Sequence, residues 1–226
     1  MISETLETNE ITFRRVSVAD IDSLVDICRD GFPNAVCWQG PRFVARKWWK
    51  LRLKCSSSET WVCLNEGRVA GFLGLIINQS EFAKENQKNG IGLLSKTIAL
   101  MFRPRIALSR IKRLVISHTR KNKNVDVSLP SNVQLPNSDF SRGRSVIWIR
   151  PMAVSQHMRR RGLGKKILRF SEIRTLALHG EVLKLNVETF NDPAIRLYEK
   201  EGFTRTSEAS GYIYYTKILK RQTSEK

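Results

Sequence analysis

The most constraining stretch of this chain is a β-rich run, Ser145 to Val154, that enters a short loop and then the series Arg159-Arg160-Arg161-Gly162-Leu163-Gly164. From Leu163 onward, Leu163, Ile167, Phe170, Ile173 and Ala177 return every three or four positions, so the loop opens into an amphipathic helix that Gly180 ends. The first turn of a helix has backbone N–H groups without intrahelical acceptors, and glycines there keep side chains out of the way, which makes a seat for phosphate. Arg159, Arg160, Arg161, Lys165 and Lys166 add positive charge. Taken alone, this stretch reads more readily as a turn with a solvated basic surface. The next unit decides the matter: Val182 to Glu188 is strand-like, and Asn191-Asp192-Pro193-Ala194-Ile195-Arg196-Leu197-Tyr198 opens a second helix, with Asp192 as cap and Pro193 at its first position. Tyr198 thereby stands one strand further along the chain as a proton donor beside the phosphate seat.

Pro151 interrupts the Ser145–Val154 run, and because proline cannot donate to a sheet ladder it predicts a bulge or splay there. Upstream, Ile11 to Val16 is a short strand, Ile21, Leu24, Val25 and Ile27 mark a helix closed by Gly31 and Pro33, and Pro41 to Lys54 is a second helix with a basic outer side. Thr60–Leu64 and Val69–Ile77 form a hairpin through Asn65-Glu66-Gly67-Arg68. Phe203–Thr206 and Tyr212–Leu219 end the chain as a strand pair. Between them, Gly90 to Asn124 holds nine Lys or Arg and no Asp or Glu, with apolar residues at helical spacing, and Asn122 to Arg144 is a long irregular connection.

With 226 residues, 41% of them apolar, the chain supports one cored domain over 1–226, with 80–144 inserted as basic helices and a mobile loop. Lys and Arg outnumber Asp and Glu by 39 to 21, a net +18 that calls for an anionic partner: nucleic acid, an anionic membrane or a phosphorylated small molecule. Cys28, Cys37, Cys55 and Cys63 form no CxxC pair and the three histidines are scattered, so no metal site and no disulfide framework is expected. Residues 1–10 lack the apolar run of a secretory signal and no segment has the length of a membrane helix, which reads as a cytoplasmic protein.

The run MAVSQHMRRRGLGKKIL, residues 152–168, resembles the acetyl-CoA motif of the GNAT superfamily of N-acyltransferases, with Arg159, Gly162 and Gly164 on its signature positions. VETFNDPAIRLYEKEGF, residues 187–203, resembles that family's second motif. The resemblance is specific over 145–219, weaker over 11–77, and leaves 80–144 outside the common core. It implies an α/β fold with a mixed, mostly antiparallel sheet flanked by helices and the basic insertion between strands 3 and 4. It further implies that Met152, Ala153 and Val154 pair with the pantetheine arm of acetyl-CoA, that the amides of Arg159, Arg160, Arg161, Gly162, Leu163, Gly164 and Lys165 hold the pyrophosphate, and that Asn191 orients the arm or the catalytic helix.

The chemistry implied is direct attack by a primary amine on the thioester in a ternary complex, with Tyr198 protonating the departing sulfur; a tyrosine at about 10 against a thiol at about 8.5 sets the reference. A backbone N–H near Met152 or Ala153 is the expected oxyanion donor. The amine must first lose a proton. Ser145–Val154 has no carboxylate for that task, since Trp148 stands near the family's usual glutamate, and Asn186 stands at its other common position. Glu188, two residues on and on the same side of its strand, is the remaining candidate, as a base through water or as a structural ion pair.

The acceptor is expected to be a small-molecule amine carrying phosphate, with a nucleotide-linked amino sugar as the example that joins amine and charge. Competing readings are a protein N-terminus or lysine, or a non-catalytic module on nucleic acid or anionic membrane. Peripheral membrane contact would use the basic insertion. Nucleic acid is disfavoured because only Phe102 in that segment has an aromatic ring to stack.

Overall fold

The computed structural model describes residues 11–33, 35–90 and 143–219. In chain order they form β1 (Ile11–Arg15), α1 (Ile21–Gly31), α2 (Val36–Gln39), α3 (Arg42–Arg52), β2 (Ser58–Asn65), β3 (Arg68–Ile76), α4 (Gln79–Lys88), β4 (Val146–Val154), α5 (Leu163–Ala177), β5 (Val182–Glu188), α6 (Asp192–Lys200), β6 (Thr204–Ala209) and β7 (Tyr212–Ile218). The seven strands make one sheet in the order β1-β2-β3-β4-β5-β7-β6. Every neighbouring pair is antiparallel except β4 with β5. The mixed, mostly antiparallel sheet and the hairpin turn at Glu66-Gly67 agree with the sequence, both turn residues having positive φ as a two-residue turn demands.

Alternation along the strands gives the sheet two unlike faces. On one, Leu73, Leu75, Ile147, Ile149, Leu183, Leu185, Val187 and Ile213 pack with Leu163, Ile167, Leu168 and Phe170 of α5 and with Tyr198 of α6 in the main core. On the other, α1 and α3 cover the β1–β3 half and α1 reaches Ala153 of β4, while Trp49 meets Phe72 edge-on at 5.4 Å. The same face carries Trp148 and Arg150 on β4, Lys184, Asn186 and Glu188 on β5, and Tyr212 and Tyr214 on β7, whose registers set them side by side; Trp148 and Tyr214 are buried there with Phe82 of α4.

Two helices have no counterpart in the sequence reading: the four-residue α2, and α4, where Asn78 caps by accepting from the Glu81 amide. Helix α4 is tied down by Glu85, whose carboxylate accepts the amides of Ser56 and Ser57 at 3.0 and 3.1 Å and both their hydroxyls. Those donors hold its pKa down to about 2. The expected basic helices of 90–124 and the connection 122–144 lie, apart from Gly90 and residues 143–144, outside the described residues. No helix among the described residues is long and apolar enough to cross a membrane.

Candidate functional site

The site begins where β4 leaves β5. These parallel strands pair only from Val146↔Val182 to Trp148↔Lys184, while β4 stays paired to β3 as far as Gly71↔Val154. From Ile149 onward the β5-facing edge of β4 therefore has no strand partner among the described residues, and Met152, Ala153 and Val154 present that edge. The cause is the predicted irregularity at Pro151: the β3–β4 register shifts between Leu73 and Leu75, so Gly74 faces the Arg150–Pro151 link. A Cβ at Gly74 would overlap the Arg150 carbonyl oxygen and come within 2.9 Å of its carbon. The Arg150 side chain crosses the gap, its Nε donating to Asn186 Oδ1 at 3.1 Å. Burial pushes the Arg150 guanidinium below its ordinary pKa. Sequence reasoning passed over Arg150, although a charged residue inside an apolar strand was its signal.

After β4 the chain makes a short 3-10 turn, Gln156–Met158, and reaches α5 through Gly162 at φ 78°, a left-handed conformation that admits glycine without strain. None of the amides from Arg160 to Lys165 donates to a backbone carbonyl among the described residues. Arg159, Arg160, Arg161 and Gly162 are exposed, so the amide cluster opens outward as an anion seat. The structure redistributes roles within it. Leu163 contributes only its amide, because its side chain is buried in the main core. Gly164 faces α6 rather than the seat: a Cβ there would lie 2.8 Å from Leu197 Cδ2. Lys165 pairs its ammonium with Glu201 at 3.4 Å, and Arg159 folds back so that its Nε donates to the Val154 carbonyl at 3.3 Å.

The second helix is capped by Asn191, not by Asp192 as the sequence suggested. Asn191 Oδ1 accepts from the Ala194 amide at 3.3 Å, and Pro193 sits inside the first turn. Asn191 thus fixes α6 and with it Tyr198. Tyr198 is 7% exposed, its ring centroid 6.0 Å from those of Phe203 and Tyr215. Burial raises its pKa to about 12. Glu188 lies on the opposite face of the sheet, forms no ion pair among the described residues, and is pushed above the usual carboxylate range by burial. The two candidate proton carriers, Tyr198 and Glu188, thus lie on opposite faces of the sheet. Among the described residues no cluster of three or more His, Cys, Asp or Glu is arranged to hold a metal.

Residues 133–203 match the model of the Acetyltransferase (GNAT) family, a span that holds β4, the anion seat, β5 and α6. Similar solved structures include yncA from Salmonella typhimurium with its cofactor acetyl-CoA (14% identity, TM-score 0.53, covering 96% of this chain and 98% of that one). An N-acetyltransferase from Staphylococcus aureus Mu50 aligns with 14% identity and TM-score 0.56 over 94% of this chain and all of its own. The PaiA N-acetyltransferase of Thermoplasma acidophilum, in complex with coenzyme A, aligns with 11% identity and TM-score 0.53 over 92% and 99%. No curated protein matches the chain. Residues 133–203 thus match the GNAT acetyltransferase family, and the described residues share the fold of these acetyltransferases.

Proposed function

We propose that the protein transfers the acetyl group of acetyl-CoA to a primary amine of a small anionic molecule, by direct attack in a ternary complex. The observation that carries this reading is the β4 edge from Ile149 to Val154, without a strand partner among the described residues, which ends at a helix start whose amides, Arg160 to Lys165, donate to no backbone carbonyl among those residues. A pantetheine arm and a pyrophosphate have matching length and chemistry: amide groups that pair with a strand edge, then anionic oxygens that take N–H donors. Met152, Ala153 and Val154 would hold the arm, and the amides of Arg160–Lys165 the phosphates. When bound, acetyl-CoA supplies an activated thioester.

The residues divide the proton work by face. Tyr198, held near 12, keeps its proton at any working pH, so it serves as a donor and never as a base. Glu188, raised by burial above its ordinary carboxylate value and without an ion-pair partner among the described residues, is suited to take a proton from an incoming ammonium, directly or through water. On the same face Arg150 and Lys184 flank Trp148, with cation-to-centroid distances of 5.1 and 5.9 Å. That pairing of cations with an aromatic plate supports an acceptor that carries an acidic group as well as its amine.

The test is calorimetry with acetyl-CoA, amide exchange over 159–166 with CoA present, and CoA release against a panel of amines that includes amino-sugar nucleotides, peptides and polyamines. Binding, protection of those amides, and turnover of an anionic small amine are expected. Absence of both binding and protection would sink the reading, and turnover confined to peptides would replace its acceptor.

A further inference from the structure

Arg52, at the end of α3, is 4% exposed, and its Nη2 donates to the Arg150 carbonyl at 2.7 Å across 98 residues of sequence. Its Nε has no hydrogen-bond partner among the described residues. The guanidinium lies over the Phe82 ring of α4, 4.2 Å from the centroid. Burial lowers its pKa to about 10, so the buried group is still a cation at neutral pH. A buried cation with an orphaned N–H is costly, and packing alone would be served by an apolar residue of similar length.

What the cation does is set by where its acceptor lies. In a regular ladder the Arg150 carbonyl would take an N–H from β3. At the bulge the register shift removes that donor, while the missing Cβ of Gly74 leaves the carbonyl room to turn. A buried carbonyl turned out of its ladder needs another donor, and Arg52 provides it. The same residue, Arg150, then sends its side chain over the gap to Asn186, the strand neighbour of Glu188 but one. One hydrogen bond from α3 therefore holds both the turn of β4 away from β5 and the strut that spans the opening.

We propose that Arg52 is a positioning residue for acetyl-CoA: by holding the Arg150 carbonyl out of the β3 ladder it fixes the bulge, and so sets the width of the slot that takes the pantetheine arm. The inference rests on the proposed cofactor reading. It separates two parts of one ligand, because the slot lies at the β4 bulge while the anion seat lies beyond β4, at the start of α5.

The experiment measures dissociation constants by calorimetry for acetyl-CoA and for 3′-phospho-ADP, its nucleotide fragment without the arm, together with melting temperatures. Arg52→Met removes the donor and the buried charge at similar length. It is expected to melt no lower than the wild type and yet to bind acetyl-CoA about tenfold more weakly, as misplacement of a binding group does, with fragment affinity unchanged. Arg52→Lys, which keeps a cationic donor, should recover part of the loss. Gly74→Ala pushes the same carbonyl from the other side and should reproduce the selective loss if Arg52→Met does not fold. Loss in parallel for both ligands, or in neither, overturns the inference. Failure of the wild-type protein to bind acetyl-CoA overturns the cofactor reading itself, and this inference with it.

Discussion

The two faces of the sheet at the β4–β5 gap are built in different ways. The face under α5 and α6 is a closed apolar core in which Tyr198 is buried beside Tyr215. The opposite face carries Trp148, Arg150, Lys184, Asn186, Glu188, Tyr212 and Tyr214, charged and aromatic groups from three strands. A closed core fixes geometry and raises the tyrosine's pKa, whereas a polar face selects by charge and shape. On the proposed reading, donor and acceptor recognition are separable here: backbone and core would hold the donor, and the charged side chains of the opposite face would choose the acceptor.

The sharpest way to break this division is Tyr198→Phe. If the hydroxyl is the donor, turnover falls about hundredfold with acetyl-CoA affinity unchanged, measured by CoA release and calorimetry on the same preparation. Unchanged turnover would return Tyr198 to a packing role. Next in size is a contrast between two glycines at the start of α5. Gly162→Val forces a branched side chain into a left-handed backbone at a cost of about 2 kcal/mol, and acetyl-CoA affinity should fall with stability. Gly164→Ala meets the movable end of Leu197, and alanine's helix preference offsets the push, so its net cost stays below about 1 kcal/mol. Equal losses would contradict the separation of seat and helix packing.

The same division explains what the sequence discloses. The seat was legible because local rules build it: glycines at a helix start, a proline in a strand, and 3.6-residue periodicity in α5. The cap of α6 was misplaced by one residue, since Asn191 and Asp192 carry equal capping chemistry and only the backbone turn at Asn191 chooses between them. Arg52 falls in a helix whose basic residues predict only a positive outer side. Its burial depends on Phe82 and Arg150, 30 and 98 residues away, and no local pattern encodes such a meeting. Helix α4 escaped notice for a like reason: few of its residues are apolar, and it is fixed by Glu85 gripping a serine loop rather than by a hydrophobic stripe.

Glu188→Gln tests the polar face. Burial raises the carboxyl's pKa in the folded protein, so between the unfolded and folded values the native state binds more protons and stability falls as pH rises. A neutral glutamine removes that penalty, and the variant should melt no lower than the wild type at neutral pH. Its turnover should nonetheless fall about tenfold, and the rise of rate with pH that begins above the ordinary carboxylate range should disappear. A lower melting temperature with an unaltered pH–rate profile would make Glu188 a structural residue and leave deprotonation to solvent.

The smallest effect lies away from both faces and measures the scaffold they share. Asp20, 5% exposed at the start of α1, accepts from Arg14 at 2.7 and 2.8 Å and from the Ser17 amide at 2.7 Å, joining β1 to α1. Arg14 is the main cause of a pKa lowered to about 2. A depressed folded pKa means that the unfolded chain binds the proton more readily, so the stabilisation is complete above about pH 4 and disappears as pH falls through 2. Because Arg14 is half-exposed, solvent screening limits it to about 1 kcal/mol. Asp20→Asn should lower the melting temperature by a few degrees at neutral pH and converge with the wild type in acid. Affinities for acetyl-CoA and its nucleotide fragment should stay equal to the wild type's. A selective loss of acetyl-CoA affinity in this variant would mean that the slot answers to scaffold stability in general, and the two-part division of the site would fail.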